Sequence, residues 1–210
     1  MHTHNESSPS MRGRCIAAIA SAAALICSFG AVGAAPAFAD TYSSGLVATA
    51  EGAVTRGTIP AGALSVVNFA PKWGDKQANK TNMLATMEQA HANGVKMIVF
   101  PEMSLTGYVS SSDPESPAYR MAVSQAETTA SPITQEIAAK AKEYGMWVVY
   151  GTPERIPGDD DHAYNSAFAI SPEGKVSSYQ KIAPVEGAWA TPGTTPVILQ
   201  TEWVLMGLCI

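Results

Sequence analysis

Residues 95–108 read VKMIVFPEMSLTGY, and this stretch decides the fold. Ile98, Val99 and Phe100 make a short, β-branched and aromatic run without alternation, the pattern of a strand buried on both faces. Pro101 has no N–H to give a sheet ladder, so pairing stops there and the next side chain leaves the sheet. That side chain is Glu102. A carboxylate delivered past the carboxyl end of a buried strand stands where open α/β sheets hold their ligands. A loop glutamate that is solvated or caps a nearby amide fits the same pattern.

Toward the N-terminus, residues 64–69 (LSVVNF) predict a strand, Pro71 and Gly74 a turn, and residues 76–92 a helix. Met83, Leu84, Met87 and Ala90 keep near-helical spacing, and Asn93-Gly94 supplies a left-handed stop. His91 reads as a surface or partly packed histidine at the negative end of that helix. Toward the C-terminus, the polar residues 110–129 break the rhythm and read as loops. Ser131 then caps and Pro132 opens a second helix, with Ile133, Ile137, Ala138 and Ala141 on one face and Gly145 beyond its end. Residues 146–150 (MWVVY) are the next strand. Repeated strand and helix units predict an α/β fold with strands side by side and helices on one face. No glycine-rich phosphate loop follows residues 64–69, and Ser104 lacks the flanking glycines of a nucleophile elbow, which disfavours nucleotide binding and serine hydrolysis.

After Gly151 the pattern changes to strand against strand. Pro157-Gly158 marks a turn, residues 164–170 a strand, Pro172-Glu173-Gly174 a tight turn, and residues 176–180 the returning strand, which delivers Lys181 at its end. Glu186, Trp189 and a Pro192-Gly193 turn follow, then an apolar strand over residues 204–208 that ends at Cys209. The Asp159-Asp160-Asp161-His162 run lacks the spaced ligands of a calcium loop and reads as a solvated turn, so no metal and no cofactor are expected.

The N-terminal segment has a separate meaning. Arg12 and Arg14 precede an apolar, alanine-rich run, and Ala37-Phe38-Ala39 offers the small residues of a cleavage site before Asp40. Residues 1–39 therefore read as a secretory signal peptide, 40–63 as a loose lead-in and 64–210 as one domain, exported (secreted, periplasmic or cell-surface) without a stable membrane anchor. With 18 acidic and 13 basic side chains spread along the chain, no basic patch suits nucleic acid. Cys15 and Cys27 lie in the signal segment, which leaves Cys209 as the one thiol of the mature chain: inert and buried, paired between chains, or reactive.

Three strand ends thus carry Glu102, Lys181 and Cys209. A thiol becomes a nucleophile when a base can take its proton and a cation favours the thiolate. Glu102 suits the base, Lys181 can hold the thiolate and neutralise an oxyanion, and Glu186 can position a substrate amine or orient Lys181. This suits acyl transfer from nitrogen to sulfur and then to water.

The chain resembles the carbon-nitrogen hydrolase, or nitrilase, superfamily. The likeness is carried by FPEMSLTGY (100–108), HANGVKMIV before it, YNSA (164–167), PEGKV before YQK (179–181), and EGAWATPG (186–193). It implies an α-β-β-α sandwich of the nitrilase type. It also implies a Glu-Lys-Cys triad with Glu102 as general base, Lys181 as oxyanion-stabilising lysine, Glu186 as the second glutamate of such sites and Cys209 as nucleophile. The implied substrate is a small amide, with nitriles or carbamoyl compounds as neighbours, and water is the second reactant. Tyr108 and Trp189 are candidate pocket-lining residues, and association into homo-oligomers is implied as well. The family's sandwich continues well past its cysteine, so the expectation here is a form incomplete at the C-terminus. The alternative expectation is a non-catalytic fragment that needs a partner or a complete C-terminal half.

Overall fold

In the computed structural model, which describes residues 58–210, β1 (Leu64–Val66) and β2 (Met97–Val99) lie parallel and are joined by α1 (Lys76–Ala92). The export signal expected over residues 1–39, and the lead-in as far as residue 57, lie outside the described residues. α1 begins where its sequence demands: the Asp75 carboxylate accepts the Ala78 N–H at 3.0 Å and satisfies one of the orphan donors of the first turn. Its buried face is Asn79, Met83, Met87 and Ala90, three to four residues apart.

The predicted loop region 110–129 contains a helix, α2 (Pro117–Ser124). Ser116 caps it by accepting the Tyr119 N–H at 3.1 Å, and Pro117 fills the first helical position, where a missing N–H costs nothing. α3 (Pro132–Tyr144) starts and stops as predicted, with Gly145 left-handed at φ 58°. Ser131 occupies its N-cap position, but the Ser131 hydroxyl accepts the Thr128 N–H instead of one from its own helix.

β3 (Trp147–Arg155) runs five residues past the predicted end at Tyr150 and pairs antiparallel with β4 (Ala163–Ile170), which pairs with β5 (Val176–Gln180). Pro153 is tolerated inside β3 because it sits opposite Asn165, whose carbonyl is turned to the far side and accepts the Lys181 N–H. A proline at such a position removes no ladder bond. The order β1-β2-β3-β4-β5 makes one mixed sheet. A second, two-stranded sheet pairs β6 (Ile198–Gln200) with β7 (Leu205–Gly207). The sequence predicts only the latter of these, as residues 204–208, and the first strand predicted at residues 64–69 is limited here to Leu64–Val66.

Side-chain parity divides the core. Ile98, Val148, Tyr150, Phe168 and Ile170 face α1 and α3, while Val99, Trp147, Val149, Ala167, Ala169 and Tyr179 face Leu199, Met206 and Leu208 of the hairpin. The layers are therefore helix, five-stranded sheet and second sheet, the α-β-β part of the expected sandwich. A third cluster, with Met103, Tyr119, Met121 and Trp189, packs α2 beside the end of the main sheet.

Candidate active site

The site is built where β2 ends. Past Pro101 the chain turns over β3 and lies against Gly151: a Cβ there would come within 2.7 Å of the Glu102 Cα. The turn is closed by the Gly107 N–H donating to the Met103 carbonyl at 2.7 Å, with Met103 itself at φ 54°. A buried methionine in the left-handed region is strained and persists only because its surroundings hold it. Asn79 of α1 supplies part of that hold, giving its amide N–H to the Leu105 carbonyl at 2.9 Å and to the Lys72 carbonyl at 2.8 Å.

Glu102, so placed, meets Lys181 and Asn165. Its Oε1 accepts from Lys181 Nζ at 3.1 Å and from Asn165 Nδ2 at 2.6 Å. Lys181 Nζ also donates to Glu186 Oε1. Glu186 is fully buried, and its Oε2 takes the Val185 N–H at 2.9 Å. The loop bearing Glu186 is held from outside, since the Ser111 N–H donates to the Glu186 carbonyl at 2.8 Å and Gly187, at φ 115°, lets the Ser111 backbone approach where no Cβ would fit. The segment leading into α2 is thus a roof over the acidic loop.

Electrostatics follow from these contacts. Burial pulls the Lys181 ammonium down, but its bonds to Glu186 and Glu102 outweigh burial, so it stays charged to higher pH than an ordinary lysine. Burial pushes the Glu186 carboxyl up, and the bond from Lys181 more than reverses this, holding it below the usual value. The Tyr108 phenol is raised, first by burial and then by the charges of Glu102 and Glu186. Glu102, Lys181 and Glu186 therefore form one hydrogen-bonded cluster with Tyr108, 53% exposed, within its electrostatic reach.

Trp189 is elsewhere. Expected as a pocket residue, it is fully buried in the cluster with Met103 and Tyr119, because its ring is the bulk that fills the space between α2 and β4. Cys209 follows β7, half-buried against the apolar cluster that joins the hairpin to the main sheet. Met206 and Leu208 are the buried members of that stretch, so Cys209 shares the alternation parity of Leu205 and Gly207. The aspartate run is a hydrogen-bonded turn, Asp159 Oδ1 accepting from the N–H groups of Asp161 and His162. Among the described residues no group of three or more His, Cys, Asp or Glu could hold a metal ion.

Sequence reasoning did not single out Asn165 as a site residue. The available signal was a polar amide at the third position of an otherwise largely apolar, almost wholly buried strand, where an amide needs a partner.

A model of the family described as carbon-nitrogen hydrolase matches residues 63–202. A nitrilase of Pyrococcus abyssi is 31% identical over 108 residues, which are 51% of this chain and 37% of that protein. An aliphatic nitrilase of Sinorhizobium fredii is 26% identical over 160 residues, covering 70% of this chain and 51% of that protein. The chain thus spans about half the length of these relatives or less. A cysteine-to-alanine mutant of the amidase from Nesterenkonia sp. AN1, solved in complex with butyramide, superposes with TM-score 0.55 at 22% identity, over 71% of this chain and 56% of that one. At that identity the likeness is one of fold.

Proposed function

Because the chain belongs to the carbon-nitrogen hydrolase family, we propose that it hydrolyses the C–N bond of a small amide through a cysteine thioester. The observation that carries this reading is Lys181 Nζ, just past β5, bridging two carboxylates, Glu102 on the turn after β2 and Glu186 on the loop after β5. Glu186 balances the lysine charge, which leaves Glu102 as the carboxylate that can exchange a proton.

In the proposed cycle the Cys209 thiol gives its proton to Glu102, and its sulfur attacks the carbonyl carbon. The carbonyl oxygen takes up the negative charge, and Lys181 stabilises it. The C–N bond then breaks as Glu102 returns the proton to the leaving nitrogen, releasing ammonia and leaving the thioester. Glu102 next takes a proton from water, the hydroxide attacks the thioester carbon, and the carboxylic acid departs as the thiol regains its proton. Amides are favoured over nitriles because an amide N–H finds acceptor carboxylates here, whereas a nitrile nitrogen has nothing to donate. The butyramide complex of the Nesterenkonia amidase supports a short aliphatic amide. Export after cleavage near Ala39 and self-association belong to the same reading; exposed Ile198 and Leu205 on the hairpin support the latter.

The test is ammonia release from a panel of small amides and nitriles, before and after iodoacetamide and in Cys209→Ala and Glu102→Gln. Loss of turnover in both variants, with one label on Cys209, supports the cycle; full turnover in either one sinks the assignment of that residue. The placement of Cys209 against the apolar hairpin cluster favours a second reading, in which this chain carries the Glu-Lys-Glu half and is non-catalytic without a partner or a complementary C-terminal half. Absent turnover with all carboxylates intact is its expected result.

A further inference from the structure

We propose that Asn165 is a positioning residue that sets the geometry of base and cation together, fixing Glu102 through its side-chain amide and Lys181 through its main-chain carbonyl. This rests on the reading above that Glu102 is the base. Asn165 is fully buried on β4. Its Nδ2 donates to Glu102 Oε1 at 2.6 Å, and its backbone oxygen accepts the Lys181 N–H at 2.8 Å. One residue of a central strand therefore reaches both partners of the 3.1 Å contact between Lys181 and Glu102. Asn165 also stands opposite Pro153, so its side chain leaves the sheet on the face shared by Ala167 and Ala169, over which the Glu102 turn lies.

The amide's orientation is itself informative. Asn165 Oδ1 is buried without a hydrogen-bond partner. Leaving an acceptor so is costly, and the cost is tolerated because an ionised carboxylate can only accept, which forces the amide to present Nδ2. Both Asn165 and Lys181 address Oε1. Asn165 thereby keeps one oxygen of Glu102 occupied and assigns proton exchange to Oε2. Among the described residues, the charged and titratable groups that interact with Glu102 include Lys181 at the end of β5, Glu186 on the following loop and Tyr108 on its own loop, and the proposed cycle adds the Cys209 thiol. None of these can replace a neutral donor anchored in the sheet.

A hydrogen bond donated to a carboxylate favours its charged form, so removing it moves proton uptake to higher pH. The full chain is compared with Asn165→Leu, close in volume, and Asn165→Ala, which removes the donor without adding a charge, folding being checked by circular dichroism and urea midpoint. The readouts are the ¹³C titration of the Glu102 carboxylate, assigned by its disappearance in Glu102→Gln, and the acid limb of kcat/KM. Both should move to higher pH, with kcat/KM on that limb falling roughly tenfold. An unmoved titration midpoint in a folded variant overturns the proposal, whichever of the two variants folds. A moved midpoint in a chain that does not hydrolyse amides upholds the role of Asn165 and overturns the hydrolase reading. A moved midpoint with an unmoved acid limb upholds Asn165 and removes Glu102 as base.

Discussion

Gly151 lies directly beneath Glu102: a methyl group on the glycine would stand 2.7 Å from the glutamate Cα. The floor of the site is therefore bare backbone, and the turn that carries Glu102 rests on it. Gly151→Ala should lift that turn. A displacement of about 1 Å costs on the order of 10²-fold in rate when the reacting groups lose alignment, and overpacking costs ~1–3 kcal/mol. Ammonia release and a urea midpoint on the same preparation check both; activity within a factor of two of the parent would show that the floor has room.

Glu186 and Lys181 should give the fold opposite pH limits. Glu186 has a depressed folded value, so its contribution is present above its ordinary value of 4.5 and is lost as pH falls through the lower folded one. Lys181 is raised above its ordinary 10.5, so its contribution is present below 10.5 and is lost as pH climbs through the higher folded value. Urea midpoints of Glu186→Gln should decline less steeply below pH 4.5 than those of the parent. An unchanged acid slope would remove Glu186 from the account.

Lys181→Met at neutral pH leaves Glu102 and Glu186 as neighbouring carboxylates without their shared cation. Breaking a largely buried ion pair from one side costs about 3 kcal/mol. The double variant Lys181→Met with Glu186→Gln should recover part of that loss, since one of the stranded charges is gone. A double variant no more stable than the single one would contradict the bridging geometry.

Tyr108 stands exposed at the rim while its phenol senses Glu102 and Glu186. If it lines the substrate path, Tyr108→Ala should raise KM for a short amide about fivefold, equivalent to ~1 kcal/mol of lost apolar contact, and leave kcat nearly unchanged. A fall in kcat with constant KM would instead place the hydroxyl in the chemistry.

Trp189 separates a core role from a pocket role. Its indole N–H is buried without a partner, so Trp189→Phe keeps most of the apolar volume and removes an unsatisfied donor. Trp189→Ala should destabilise by ~3–5 kcal/mol, and Trp189→Phe by far less. Equal effects of the two on stability would mean that the ring contributes little packing between α2 and β4.

The alternation of strand and helix, the ends of α1 and α3, and the delivery of Glu102 and Lys181 past strand ends were all legible in the sequence. Each depends on residues within one or two turns of each other: Asp75 with Ala78, Gly145 after Tyr144, Pro101 before Glu102. α2 reads as loop in the sequence although Ser116-Pro117 is the same opening pair as Ser131-Pro132, because the polar stretch before it masks the signal. β6, three residues long, carries no pattern of its own and exists because Met206 and Leu199 meet over the main sheet.

What the sequence by itself determined is local: which segments bury a face, where they stop, and which charged groups those stops release. Only the tertiary structure decided that Lys181 bridges Glu102 and Glu186, that Asn165 bonds both Glu102 and Lys181, and that Trp189 fills a core. Those relations join residues up to 79 positions apart, and pairing register, parity and packing depth fix them. A one-residue slip in register would turn each of these side chains to the opposite face of the sheet, and that choice is made by the whole buried surface together.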